Sequence, residues 1–163
     1  MKKLLLILLL PIFSFGQVVN TFPWTHDFEN NIPLEQDAND DGDWWLMQGA
    51  TTSINTGPSG DHTTGNGMYF YIESSSPNYP DKEFISYTPV FDVSATPGKV
   101  LSFWYHMYGA SMGDLEIGIL TNGIYIPIDT ISGNQGNQWQ FAYYPIMANN
   151  AFKVAFKGTT GAS

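Results

Sequence analysis

The sequence has no cysteine and few charged residues, and each shortage narrows what the chain can be. Among 163 residues there is no Cys, so disulfide bonds cannot stabilise the fold, and core packing or a bound ion must do so. Charged residues make up 13% of the chain, against 43% hydrophobic and 15% aromatic residues, which favours a folded chain over a disordered one. The length suits one domain with a hydrophobic core.

Basic residues are scarcer than acidic ones. Six Lys and Arg residues stand against fifteen Asp and Glu residues, which gives a net charge of −9 at pH 7. A nucleic-acid-binding protein needs basic side chains to neutralise phosphates, so we predict no nucleic-acid partner. The acidic loops favour divalent cations instead.

The common catalytic motifs are also missing. The sequence has no Gly-x-Ser-x-Gly, no His-Glu-x-x-His and no cysteine nucleophile. Asp114 and Glu116 share a predicted strand, but no second acidic strand pattern accompanies them, as a glycosidase would need. We interpret His62 as a buttress of its loop and His106 as a packed, hydrogen-bonded core residue. The chain is therefore predicted not to be an enzyme, with a jelly-roll glycosidase that uses Glu116 as an alternative.

The N-terminus has the features of a secretory signal peptide. Lys2 and Lys3 precede an apolar run at 4–13, and Ser-Phe-Gly at 14–16 is a small-residue cleavage site. The run is shorter than the ~20 residues of a spanning helix and contains Pro11. We predict cleavage after Gly16, a mature domain over 17–163, a secreted or cell-surface location and no membrane-spanning segment.

The rest of the chain reads as short strands. An apolar and aromatic run at 100–108 predicts a central strand covered on both faces, with Phe103 on one face and Trp104 on the other. Asn122-Gly123 separates two alternating runs and predicts a hairpin. Further strands are predicted at 21–29, 44–48, 68–73, 83–91, 138–144 and 151–158. This pattern predicts an all-β fold, an antiparallel jelly-roll β-sandwich.

Three stretches resemble one known family. They are Gly-Pro-Ser-Gly-Asp-His-Thr at 57–63, Leu-Ser-Phe-Trp-Tyr-His-Met-Tyr-Gly at 101–109, and Gly-Asn-Gln-Trp at 136–139 followed by the segment at 154–161. Their order and spacing resemble the MAM domain of meprins, neuropilins and receptor phosphatases. The resemblance implies a concanavalin-like jelly roll and a non-catalytic role in extracellular recognition or cell adhesion.

The sequence departs from the family in two respects. Animal members carry disulfide cysteines, and their absence together with the signal sequence is similar to MAM modules of secreted Bacteroidetes-type proteins. The family continues into a final Asp-rich strand, whereas this sequence stops at Ser163. The resemblance thus implies a fragment of a longer polypeptide with one unpaired sheet edge.

The same resemblance implies a structural Ca²⁺ ion. Carried over by position, Glu29 and Asp61 would be its carboxylate ligands, and hard oxygen ligands on loops suit calcium. In the alternative, Asp61 caps its own turn and Glu29 is a solvated strand end.

A second acidic stretch is a weaker calcium candidate. Asp37, Asn39 and Asp41 match the opening of an Asp-x-Asn-x-Asp-Gly calcium loop, but position twelve is Gln48 and supplies no closing carboxylate. The alternative is an acidic, solvated loop before a strand.

The sequence has more aromatic residues than a core of this size needs to bury. Exposed rings can stack on sugars or anchor a protein partner, and an aromatic-rich core is the alternative. The candidates are Trp44, Trp45, Tyr69, Tyr71, Tyr79, Tyr125, Tyr143 and Tyr144, of which Trp45, Tyr79 and Tyr125 are the predicted ligand contacts. We predict an extracellular protein or a glycan as partner, and the alternative function is a carbohydrate-binding module attached to a secreted hydrolase or peptidase.

Overall fold

A computed structural model describes residues 18–31 and 34–162, and within these ranges the chain forms strands and no helix. The signal peptide predicted for residues 1–16 lies outside them. No helix in the described ranges could cross a membrane. The strands are β1 (Val18–Val19), β2 (Glu35–Gln36), β3 (Trp45–Gln48), β4 (Met68–Tyr71), β5 (Glu83–Tyr87), β6 (Val90–Phe91), β7 (Lys99–Tyr105), β8 (Asp114–Thr121), β9 (Ile124–Ser132), β10 (Gln140–Ile146) and β11 (Lys153–Thr159).

One layer of the fold is a five-stranded antiparallel sheet in the order β2-β5-β11-β8-β9. The predicted hairpin is confirmed, because β8 and β9 are joined by Asn122 and Gly123, with φ angles of 52° and 74°. Two successive residues with positive φ match the right-handed twist of the flanking strands.

The second layer contains β7 paired with β10, and β3 paired with β4. The inward side chains of β7, Leu101 and Phe103, pack against a core that includes the fully buried Ile117 and Val154. The ring of Phe103 meets the ring of Phe156 on β11 edge-on, with centroids 5.1 Å apart. This two-layer arrangement confirms the predicted all-β jelly-roll sandwich.

The prediction that the strand at 100–108 is central and covered on both faces is wrong. Within the described residues β7 pairs with β10 alone, and its outward side chains are half-exposed. Alternation shows which residues share a face of a strand. It does not show whether another layer covers that face.

Two other strand predictions need correction. The predicted first strand at 21–29 does not form, although Trp24 packs against Phe91, with ring centroids 5.2 Å apart, as a core contact should. The strand predicted at 83–91 is divided into β5 and β6 around Pro89, which has no N–H to donate to a neighbouring strand.

Candidate recognition surface

The outward side of the β7–β10 pair is an exposed patch of aromatic and apolar side chains. The register places Trp104 opposite Phe141, and Ser102 opposite Tyr143. Trp104, Phe141 and Tyr143 are 46%, 55% and 59% exposed. We call this patch the aromatic face; its six residues are Val100, Ser102, Trp104, Phe141, Tyr143 and Pro145.

Trp104 is held in place by two other rings. Phe141 lies beside it with centroids 5.1 Å apart and planes inclined at 52°. The imidazole of His62 stacks on the indole, with centroids 3.7 Å apart and planes inclined at 15°. A side chain fixed before binding loses less conformational entropy when a partner docks, so this indole is preorganised for contact.

His62 reaches Trp104 because residues 57–67 form a tightly folded loop around the Asp61 carboxylate. Oδ2 accepts hydrogen bonds from the backbone N–H groups of Thr63 and Thr64, at 2.8 and 2.9 Å. Oδ1 accepts from the Gly67 N–H at 2.6 Å and from the Thr64 hydroxyl at 2.9 Å. Burial alone would raise the pKa of Asp61, but these hydrogen bonds outweigh it and hold the pKa well below its usual range.

Trp139 connects this loop to the rest of the second layer. Its indole N–H donates to the Gly60 carbonyl at 3.1 Å, and its ring lies edge-on to His62, Tyr69 and His106. His106 packs against Tyr108 and Trp139, as predicted, but it is half-buried and its Nδ1 has no hydrogen-bond partner among the described residues. Burial lowers its pKa, and a hydrogen bond with Asn137 opposes that shift.

The structure brings Glu29 and Asp61 together, as the family resemblance implies. Glu29 Oε1 accepts a hydrogen bond from the Met68 N–H at 2.8 Å and lies only 2.2 Å from where a Cβ on Gly67 would be. Four donors occupy the Asp61 oxygens, which together offer about four lone-pair sites. In the described part of the chain, no three His, Cys, Asp or Glu side chains are grouped to hold a metal ion. In this arrangement four protein donors would compete with a calcium ion for the Asp61 oxygens, and an ion at Glu29 and Asp61 stays a prediction from the resemblance.

A thermal melt of the chain in excess Ca²⁺ and in chelator tests the ion directly. We expect the same unfolding midpoint in both conditions, because Asp61 is already satisfied by its loop. An ion present at 100 times its dissociation constant would add about 2.7 kcal/mol to the free energy of unfolding. A rise of that size that Glu29→Gln abolishes would contradict this expectation and establish Glu29 as a ligand.

The second acidic stretch is attached to β5. Asp37 accepts hydrogen bonds from the Asn39 N–H at 2.8 Å and from the Tyr87 hydroxyl at 2.9 Å. Asp41 accepts from the Glu83 N–H at 2.9 Å. These contacts join the loop to the sheet edge, and a calcium ion at Asp37, Asn39 and Asp41 also stays a prediction.

None of the three predicted ligand contacts is among the six residues of the aromatic face. Trp45 on β3 is 61% exposed and makes no ring contact with any described residue. Tyr125 donates its hydroxyl to Glu116 Oε1 at 2.6 Å, so it covers the carboxylate that the glycosidase alternative would use. Tyr79 is half-buried in the segment between β4 and β5.

The sequence interpretation missed Phe141 and treated Trp104 as covered. The alternation within 140–146 contains a usable signal, since Phe141 and Tyr143 point out while Ala142 is buried. Reading β7 and β10 as partners in this register would have located the aromatic face.

Comparison with known proteins gives a consistent result. The profile of the family described as MAM domain, meprin/A5/mu matches residues 26–163. The chain is 35% identical over 136 residues to MAM domain-containing glycosylphosphatidylinositol anchor protein 1 of Gallus gallus, which covers 78% of the chain and 14% of that protein.

Two further relatives show the same pattern. MAM domain-containing glycosylphosphatidylinositol anchor protein 2 of Mus musculus is 31% identical over 177 residues, covering 94% of the chain and 19% of that protein. Thyroid hormone-induced protein B of Xenopus laevis is 34% identical over 140 residues, covering 83% of the chain and 20% of that protein. The chain thus spans a fifth or less of each relative. Its sequence match and its sandwich fold together show that the chain belongs to the MAM domain family.

Proposed function

We propose that the chain is a non-catalytic extracellular recognition or adhesion module that contacts its partner through the aromatic face. The observation that carries this proposal is the group of three large rings, each about half-exposed, side by side on one sheet. Contiguous exposed apolar patches mark interaction sites, and aromatic residues are enriched at the centres of interfaces.

An extracellular location is part of the proposal. Two relatives are named as glycosylphosphatidylinositol anchor proteins, and the N-terminal sequence at 1–16 has the features of a signal peptide. A Bacteroidetes-type origin stays a prediction from the resemblance.

The hydrogen bonding of Glu116, the residue that the glycosidase alternative would use, supports a non-catalytic role. Its carboxylate is hydrogen-bonded to the Tyr125 hydroxyl. Burial, together with this hydrogen bond, raises the pKa of Tyr125, so the phenol stays protonated and remains a donor at neutral pH. Glycoside turnover that Glu116→Gln abolishes would overturn this part of the proposal.

The proposed surface can be tested with beads coated with the chain and passed over an immobilised extracellular-matrix extract. We expect wild-type beads to be retained and Trp104→Ala beads to be retained at least tenfold less, because the variant removes the largest of the three exposed rings of the face. Ile124→Ala is the control, since it removes an exposed apolar side chain from β9 in the other sheet.

A melt of each variant shows whether it is folded, and Phe141→Ser repeats the test from β10. Equal retention of wild-type and Trp104→Ala beads would exclude the aromatic face as the contact surface. A folded wild-type chain that is not retained would overturn the recognition function.

A further inference from the structure

We propose that the aromatic face binds neutral sugars, by stacking its exposed rings on the apolar C–H faces of pyranose units. This inference rests on the proposed function and names the ligand class for the same surface. It is argued from the size, the charge and the polar groups of the face.

The size of the face suits a short glycan better than a protein. A large aromatic side chain buries about 150–250 Å² when fully covered, so three half-exposed rings offer on the order of 300 Å². Val100, Ser102 and Pro145 have smaller side chains and add less. A stable protein interface needs about 800 Å² on each partner. The face is too small to support one alone.

The charge of the face and of the chain favours a neutral ligand. None of the six residues of the face carries a charge at pH 7. Asp61 lies in the neighbouring loop at 57–67, and both of its carboxylate oxygens accept hydrogen bonds from that loop. The chain carries a net charge of −9, and all six of its basic residues are lysines. Three of the lysines are paired with carboxylates: Lys82 with Asp41, Lys153 with Glu35 and Lys157 with Glu83. The chain would therefore repel sulfated or uronic-acid glycans.

Two hydroxyl groups supply the polar contacts that a sugar needs. Tyr143 and Ser102 are directly opposite each other on the exposed side of β10 and β7. Neither side-chain hydroxyl has a hydrogen-bond partner among the described residues, whereas the hydroxyl of Tyr144, the next residue, is bonded to Asp129 at 2.9 Å. A ligand site typically combines apolar area with a few such convergent polar groups.

Affinity electrophoresis in native gels tests the ligand class on the whole chain. The neutral probes are mannan, xylan and a mixed-linkage β-glucan, and the anionic probes are heparin and polygalacturonate. We expect retardation by at least one neutral probe and by neither anionic probe. Trp104→Ala should weaken the association constant at least tenfold, Tyr143→Phe about threefold, and Ile124→Ala, on β9 of the other sheet, not at all.

Retardation that is unchanged in both Trp104→Ala and Phe141→Ser would overturn the inference, as would tighter binding to the anionic probes. The bead assay distinguishes a wrong ligand class from a wrong proposed function. Trp104-dependent retention should disappear after periodate oxidation of the matrix and survive its digestion by protease. The reverse pattern would show a protein partner, so the glycan assignment would fail while the recognition function stands.

Discussion

Asp61→Ala is expected to lower the free energy of unfolding by about 3 kcal/mol and to release His62 from Trp104. The variant removes an acceptor shared by four donors, among them the N–H of the buried Gly67. A buried donor left without a partner costs about 1–3 kcal/mol, and hydrogen bonds to a charged acceptor are among the stronger ones. Urea unfolding measures the free energy, and quenching of tryptophan fluorescence reports on the His62 stack.

Asp27→Ala is the matched control. Asp27 is exposed and accepts a hydrogen bond from the Glu29 N–H at 3.1 Å. Its removal should change the free energy of unfolding by less than about 0.5 kcal/mol. Equal losses in the two variants would mean that Asp61 is not the organising group of the loop.

Because the pKa of Asp61 is low, the difference in free energy of unfolding between wild type and Asp61→Asn should depend on pH. The carboxyl has a lower pKa in the folded chain than its unfolded value of about 3.9. Its ionisation therefore contributes stability that is present above that value and is lost as the pH falls towards the folded pKa. The stability difference from Asp61→Asn should be constant above about pH 5 and shrink below about pH 4. A difference that stays constant down to pH 2 would contradict the proposed role of the charge.

Local features of the fold were predictable from the sequence. The β8–β9 hairpin is specified by two adjacent turn residues and by alternation on both sides, so its formation depends on neighbours along the chain. The alternating run before Asn122 forms β8, as the hairpin prediction requires. The strand pattern predicts the jelly-roll sandwich, and the stretches that resemble the MAM family imply the same fold.

The candidate surface was less predictable because it depends on contacts between distant residues. His62 and Trp104 are 42 positions apart, and no periodicity indicates that they stack. The exposure of Trp104 depends on how many strands cover β7, and the same sequence would suit a covered strand. Likewise β1 and β2 contain only two residues each, and they pair with β6 and β5. A two-residue segment is too short to show any alternation, so its sequence does not predict this pairing.

Gly60→Ala is expected to destabilise the chain by about 3 kcal/mol and to abolish binding through the aromatic face. A Cβ at this position would lie 2.2 Å from the Gly65 carbonyl oxygen and 2.8 Å from its carbon. Both are backbone atoms of the same loop, so the loop itself must open, and such overpacking typically costs 1–3 kcal/mol or more. Opening would also displace the Gly60 carbonyl from the Trp139 indole N–H.

Gly65→Ala separates steric overlap from backbone strain in the same loop. A Cβ on Gly65 would meet no atom within 4 Å, but its φ of +74° is one that alanine adopts at a cost of about 1–2 kcal/mol. We therefore expect Gly65→Ala to be milder in urea unfolding and to keep retention in the bead assay. If Gly65→Ala were the more damaging substitution, the loop would be limited by its backbone conformation and not by the close approach at Gly60. The loop would then hold His62 on Trp104 through the left-handed turn at Gly65 rather than through close packing at Gly60.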